Sequence, residues 1–459
     1  MAIRLFNTLS RTVEDFQPLN PPKVGFYACG PTVYDRAHIG NHRANIFDDI
    51  LRRTLIHAGY EVKFVMNITD VGHLTSDADE GEDKLEKGAK REKLSVWDVA
   101  EKYTQLFKLD LAALNIAEPD HWLKATDNIP EQIALIQKLE AKGFTYKTSD
   151  GIYYDTNKFP NYGKLARLNV EGQKEGARVE ANTEKRNPSD FALWKFSPKE
   201  EKRQMEWDSP WGIGFPGWHI ECSAMSMKAL GETFDIHTGG VDHIPVHHTN
   251  EIAQSEGATG KPFVKYWVHN EFLLVDDGKM AKSLGNAYTL DDVRDKGFSP
   301  FAFRYYCLGT HYRSKLNFTW EGLQASQTAL DDLLGRVVAM TEPPKIGCAE
   351  YEQKFFEAID NDLNTPQALA VMWGLLKSNY PDSAKKASLL KMDAVLGLGL
   401  AEARVEEIDV PVDVKVLLDE REEARLAKDW EKADELRKQI EAAGFSVKDT
   451  SNGQVVGKL

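Results

Sequence analysis

An α/β fold, organised around a parallel sheet that handles a nucleotide, is what this sequence predicts, and three observations carry the prediction. First, residues 23–28 are short, apolar and β-prone, Cys29-Gly30-Pro31 breaks the pattern, and Ile46, Ile50, Leu51, Leu55 and Ile56 then recur at helical spacing up to a stop at Gly59. Strand, turn and helix in that order form the first half of a βαβ unit. Second, residues 61–68 read as another strand ending at Thr69-Asp70. It is expected to run parallel to the first, because a helix-length segment separates them. Third, the pattern resumes late in the chain. A strand over 233–237 ends in Thr238-Gly239-Gly240, a helix carries His247, His248, Asn250 and Glu251, and 263–275 supply further strand material. In such units ligands bind beyond the carboxyl ends of the strands, and helix N-termini attract phosphate. Cys29, His38, Gly40 and Asn41 therefore lie where a nucleotide would be handled. A small core cysteine and an ordinary turn histidine would read the same way.

The remaining elements follow in order. Residues 76–93 are dense in charge and read as a solvated loop or helix face. Amphipathic helices are expected over 96–114 and 129–139. From 144 to about 209 the period is mostly two, broken by many turn residues, which marks a partly β insertion. Its Arg167, Lys174, Arg178, Lys185, Arg186 and Lys195 suit either a nucleic-acid surface or a scattered solvent face. The α/β character returns at Gly217-Trp218-His219-Ile220-Glu221-Cys222, and 276–286 form a glycine-flanked basic loop. From Pro300 onward the chain is mostly helix-prone, including 319–340, 351–359 and 368–376, with Thr365-Pro366 opening a helix. Residues 410–416 read as a linker broken by Pro411. One highly charged helix is then expected over about 420–443, with a short tail holding Phe445 and Val447.

Composition narrows the function classes. The 459 residues suggest about three domains. No stretch approaches the roughly 20 apolar residues of a membrane span, and the N-terminus lacks a signal-peptide pattern. Four scattered cysteines do not make a disulfide framework, so a reducing cytoplasm is the expected location. A formal charge of −14 opposes indiscriminate binding to nucleic acid but leaves room for a local RNA-binding surface.

His247 and Glu251, four apart on a helix, project from one face. That spacing suits two ligands of one zinc ion, and Cys29 and Cys222 could complete a tetrahedral set from two other segments. No Cys-x-x-Cys is present and about 190 residues separate the two cysteines, so spacing alone also fits a surface His–Glu pair.

Taken together, the motifs resemble a family. His38-Ile39-Gly40-Asn41 after a strand and turn, with Lys279-Met280-Ala281-Lys282-Ser283 late in the same domain, is similar to the paired signature of class I aminoacyl-tRNA synthetases. The segments 27–35, 67–70, 216–225 and 247–254 narrow the resemblance to the cysteinyl-tRNA synthetase family, over essentially the whole chain. The resemblance implies a class I Rossmann-type core with a partly β insertion and a mostly α-helical C-terminal region. Its segments would be 1–115 and 213–318 for the two catalytic halves, 116–212 for the insertion, 319–408 for a helical bundle and 409–459 for a small anticodon-binding domain.

The same resemblance implies site roles. Zinc, one per chain, would be held by Cys29, Cys222, His247 and Glu251. ATP, with Mg2+, would be handled by His38, Gly40, Asn41, Lys279 and Lys282, of which His38, Lys279 and Lys282 act in catalysis. Gly30, Thr69 and Trp218 would line the cysteine pocket. Arg425, Trp430, Asp434 and Asp449 would meet tRNA. The expected partners are L-cysteine, ATP and tRNA(Cys), with no membrane, for a cytoplasmic monomer. Asn41 replaces the last histidine of the class signature and Ala281 the loop serine; neither change is expected to abolish activity. A related ligase joining cysteine to an amino sugar would share the adenylating core and zinc. The long helical region after Pro343 favours a tRNA instead, since a small acceptor gives it no obvious role. A zinc-stabilised RNA-binding protein without catalysis is opposed by His38, Lys279 and Lys282.

Overall fold

The structure, a computed structural model, describes residues 2–72, 83–167, 183–198, 203–281, 284–404, 411–450 and 453–458. It divides into two compact units, residues 1–402 and 403–459.

In the first unit, strands β1 (Lys23–Ala28), β2 (Glu61–Ile68), β3 (His121–Lys124), β4 (Phe234–Gly240) and β5 (Val264–Asn270) form one sheet in the order β5-β4-β1-β2-β3. Every neighbouring pair is parallel. Both faces are covered, which is why β1 and β2 read as near-continuous apolar runs. The Phe26 and Phe64 rings pack across the β1–β2 pair with centroids 4.6 Å apart. Helix α1 (Ile39–His57) joins these strands and buries Ile46, Ile50, Leu51 and Leu55 of the expected face, but Ile56, in its last turn, is exposed; Gly59, at φ +89°, ends it in a left-handed turn. The chain moves outward from β1 through β2 to β3 and then returns to lay β4 along the other side of β1. The reversal makes a topological switch point between β1 and β4, where an open sheet leaves a crevice.

Strand β3 differs from expectation. Residues 121–124 fall in the stretch read as insertion, yet they form the edge of the parallel sheet, with Val65 opposite His121 and Ile68 opposite Lys124. Four half-exposed edge residues carry no alternation to read. Beyond β3, an antiparallel sheet of Thr145–Lys147, Gly151–Tyr154, Phe191–Phe196 and Gly214–Pro216 provides the expected β character. Its Lys195 binds Asp150 at 2.6 Å, and Arg186 pairs with Asp155 while lying over the Tyr146 ring. Lys174 and Arg178 lie outside the described residues.

Helices Trp320–Ala339, Ala349–Asp360, Thr365–Leu376 and Asp382–Leu396 follow. They are tied to α1 by a buried ion pair. Arg304 reaches Asp49 of α1 at 2.6 Å with both side chains fully buried, and also donates to the carbonyls of Leu396 and Leu114.

The second unit corrects two readings. Residues 412–416 are not linker, and the charged segment is not one helix. Helices Val412–Leu426 and Trp430–Ala442 are separated by a turn with Lys428 at φ +60°, and Pro411 sits just ahead of the first helix, where a proline costs no hydrogen bond. The tail is a hairpin of Phe445–Thr450 and Gly453–Lys458, and Phe445 and Val447 pack with Val414, Leu418 and Ile440.

Replacing Arg304 by alanine leaves the buried Asp49 carboxylate with Arg53 as its remaining cation and empties the space of a fully buried side chain. A loss of about 3–5 kcal/mol is expected, measured as a shift of the urea midpoint of the full chain, whereas Arg336→Ala on an exposed i,i+4 pair should move it by under about 1 kcal/mol.

Candidate active site and metal centre

A cavity of about 630 Å3 opens at the carboxyl ends of β1 and β4. Cys29, Gly30, His38, Gly40, Asn41, Thr69, Trp218, Cys222, His247 and Lys279 all line it. Glu251 belongs to the side-chain cluster on its wall, and Lys282 lies outside the described residues. Helix α2 (Trp218–Leu230) supplies Trp218 and Cys222, and α3 (His247–Thr259) supplies His247 and Glu251.

Close backbone approach shapes the floor. The Gly30 amide donates to Asn67 Oδ1 at 2.8 Å, and a Cβ at Gly30 would stand 1.7 Å from the Asn67 carbonyl oxygen. Only glycine fits there. Asn67 also donates to Thr69 Oγ1, which donates to the fully buried Glu221 at 3.0 Å. Asn67 and Glu221 thus fix Thr69, a role sequence reading missed because neither belongs to a spaced pattern. Trp218 opens α2 and packs its ring 4.5 Å from that of His247.

One ligand atom from each of Cys29, Cys222, His247 and Glu251 lies within 4.8 Å of all the others. Glu251 Oε1 stands 3.1 Å from His247 Nε2, and its other oxygen stands 3.0 Å from His237 Nε2. Burial alone would raise the Glu251 carboxyl, but His237 and His247 hold it down at about 2. His247 is held at about 10 against burial by Glu251 and Cys222. The Cys29 thiol, against burial and with help from His247, draws Cys222 down to about 6, while burial pushes Cys29 up. Two sulfurs, an imidazole and a carboxylate gathered this closely suit a borderline-soft divalent ion such as zinc, whose ligands must be deprotonated. An overlapping set, Cys29, His237, His248 and Glu251, meets the same distance limit. Burial pulls His248 and His269 well down, so these imidazoles are neutral; His248 Nδ1 and His269 Nε2 are 2.8 Å apart, and His269 Nδ1 meets Thr8 Oγ1 at 2.7 Å.

At the other end of the cavity His38 caps α1. Its Nδ1 accepts the Asn41 amide at 3.2 Å, and Asn41 Oδ1 accepts the His38 amide at 3.1 Å. The first bond places the neutral ring's proton on Nε2, making that nitrogen a donor at a helix N-terminus. The second explains Asn41, whose carboxamide closes a reciprocal cap. Lys279 is exposed on the short strand Gly278–Lys279. Asn286 braces the loop that follows, accepting from the Ala281 amide at 2.8 Å and donating to the Lys279 carbonyl at 3.2 Å.

Sequence reading also missed Asp48 on α1, which lines the cavity, is buried, and has no hydrogen-bond partner for Oδ1 among the described residues. Burial raises its carboxyl to about 7, and the neighbouring Asp49 adds to the effect. In the second unit Trp430 is 60% exposed and so is not packed between the helices, and Asp434 is exposed. Asp449 binds Arg421, Arg425 and Arg437 together, so Arg425 is engaged within its own unit.

Residues 15–328 match the family model described as the tRNA synthetases class I (C) catalytic domain. The chain is 53% identical to a cysteine–tRNA ligase of Burkholderia lata over 99% of its own length and 96% of that protein's. The chain belongs to the cysteinyl-tRNA synthetases. Residues 354–401 match the DALR domain, and residues 408–456 match the cysteinyl-tRNA ligase anticodon binding domain. A cysteine–tRNA ligase of Treponema denticola is 46% identical over the whole of both chains, and one of Thermus thermophilus is 44% identical over 99% and 98%. Among solved structures, Mycobacterium tuberculosis methionyl-tRNA synthetase, in complex with methionyl-adenylate, aligns with a TM-score of 0.56 at 14% identity, covering 84% of this chain and 92% of that one, a likeness of fold. The synthetase is therefore of the class I α/β fold.

The pH dependence of Asp48 has a definite sign. Its folded pKa lies above the unfolded value, so the native state is favoured at low pH and loses that advantage as pH rises from about 4 through 7. Asp48→Asn should raise the thermal midpoint relative to the parent at pH 8 and change it little at pH 4. Glu251→Gln should lower the metal content of the purified synthetase, measured by elemental analysis.

Proposed function

We propose that this synthetase ligates L-cysteine to tRNA(Cys) in two steps. The cysteine carboxylate attacks the α-phosphorus of ATP, releasing pyrophosphate, and a hydroxyl of the terminal ribose of the tRNA then takes the acyl group from the cysteinyl-adenylate, releasing AMP. The observation that carries this reading is that one cavity holds both the Cys29–Cys222–His247–Glu251 cluster and the His38 turn. Phosphoryl chemistry of this kind relies on positioning and charge stabilisation. His38 Nε2, at the positive end of α1, and Lys279 are donors for charge developing on the phosphates, and Lys282 is assigned the same role by its place in the motif. Mg2+ accompanies ATP.

Cys29, Cys222, His247 and Glu251 would hold one zinc ion. When bound, it supplies a Lewis acid that favours the thiolate form of cysteine, whose free thiol has a pKa of about 8.5, over the harder hydroxyl of serine. A pocket built on a bond its competitor cannot make rejects that competitor by about 10⁴–10⁵. Thr69, fixed by Asn67 and Glu221, and Trp218 frame the remainder of the substrate, and Gly30 leaves it room against β1. The exposed Trp430 suits stacking on an anticodon base, and the match of residues 408–456 supports tRNA over an amino-sugar acceptor. The chain works as a cytoplasmic monomer.

Cysteine-dependent ATP–pyrophosphate exchange, followed by capture of labelled cysteine on tRNA, tests the reading. Both activities are expected; exchange with label captured only on an amino sugar would overturn the choice of acceptor, and no exchange would overturn the enzyme reading. Cys222→Ser should raise the KM for cysteine at least about 100-fold while leaving the KM for ATP within a few-fold; equal losses would refute the assignment of the sulfur site.

A further inference from the structure

The residue two positions before His38 has no part in the roles above, yet it sits in a ring of charged groups near the ATP end. Arg36 is mostly buried, with its side chain 15% exposed. Its NH2 donates to Asp110 Oδ1 at 2.9 Å, inside the helix Val96–Ala113, and to Asp291 Oδ1 at 2.9 Å, in the helix Leu290–Asp295 that follows the basic loop. Asp110 is fully buried and also stands 3.3 Å from His42 Nε2, one turn beyond His38 on α1. Arg294 reaches Asp291 at 2.8 Å and closes the ring 3.7 Å from Asp110. A carboxylate buried at Asp110 is stable only while its cations remain, so the arrangement cannot slacken without cost.

The backbone runs beside this ring. The Ile39 amide donates to the Tyr288 carbonyl at 2.8 Å, and His38 bridges Thr289 antiparallel, directly ahead of the helix that carries Asp291. Asn286, two residues before Tyr288, braces Lys279 and Ala281. The turn carrying His38 and the segment behind Lys279 therefore meet along one seam, and Arg36 is the side chain that spans it.

We propose that Arg36 is a positioning residue for ATP: bound to Asp110 on one side and Asp291 on the other, it latches the His38 turn to the segment behind the Lys279 loop so that both phosphate-contacting stretches are held in register. The inference rests on the reading that these stretches handle ATP. A guanidinium suits this work because it is planar and always charged, and can serve two carboxylates at once, which an ammonium on a flexible stem does less well. The sulfur end of the cavity is reached through β1, α2 and α3 and does not share the ring.

Steady-state ATP–pyrophosphate exchange by the full chain, varying ATP and cysteine separately, tests it. Arg36→Ala should raise the KM for ATP about tenfold, the worth of one charge-assisted hydrogen bond, with the KM for cysteine within twofold, and Arg36→Lys should recover part of the loss. Asp291→Asn, at a half-exposed site that cannot unfold the core, should raise the KM for ATP by itself, and the double variant should be no worse than Arg36→Ala. Parallel rises in both KM values, no change in Asp291→Asn, or fully additive losses would overturn the latch. Absence of exchange in the unmodified protein would instead overturn the functional reading beneath it.

Discussion

The parallel pairing of β4 with β1 is the constraint on which the rest depends. Ile236, His237 and Thr238 lie opposite Phe26, Tyr27 and Ala28, so Cys29-Gly30, just beyond β1, and Gly239-Gly240, the last two residues of β4, form two lips of one crevice. More than 200 residues separate the two strands in sequence. A slip of register would turn every side chain of β4 to the opposite face. It would also carry His237 away from Glu251 and α3 away from Cys29.

The cluster of Cys29, Cys222, His247 and Glu251 imposes a second constraint on the same region. Charged and polar groups buried without water are costly unless paired, and here Glu251, His237, His247, His248, His269 and both cysteines lie within or beside the core. They are reconciled by contact with one another: carboxylate against imidazoles, thiol against thiolate, and imidazole against imidazole out to Thr8. The cluster is thus embedded in a continuous polar seam, which orients each of its side chains from behind. Trp267 stacks on His237 with ring centroids 4.8 Å apart and closes the seam from the β5 side.

Much of this was legible in the sequence, for identifiable reasons. β1, β2 and α1 were visible because burial on two faces leaves an apolar run and burial on one face of a helix leaves a 3.6-residue period. The edge strand β3 was not, since four half-exposed residues have neither signature. The break between the two C-terminal helices was hidden because the turn at Ala427-Lys428-Asp429 uses a left-handed lysine in place of glycine or proline. At the site, His247 and Glu251 could be paired from helical spacing, but their meeting with Cys29 and Cys222 is a property of sheet order, and it was the family resemblance that joined them. Asp48 stayed invisible, and Asn67 and Glu221 stood in the family segments without a role, because a buried polar residue on a helix or strand looks like a surface one until its neighbours are known. Asn41 reads as a departure from the class signature, and only the cap geometry gives it a reason.

The absent side chain at Gly30 bears on how such a pocket could be redesigned. Its α-carbon is pressed against the Asn67 carbonyl, so no other residue can be introduced there to narrow the chamber, and no rotamer search will find a solution. On the proposed assignment of the cysteine pocket, any attempt to admit a bulkier or differently shaped amino acid must therefore work from the walls that do carry side chains, Thr69 and Trp218. Those two are themselves anchored, one to Glu221 and the other against His247. A recoded pocket would have to change those walls together with the residues that anchor them, with the glycine floor left as its fixed datum.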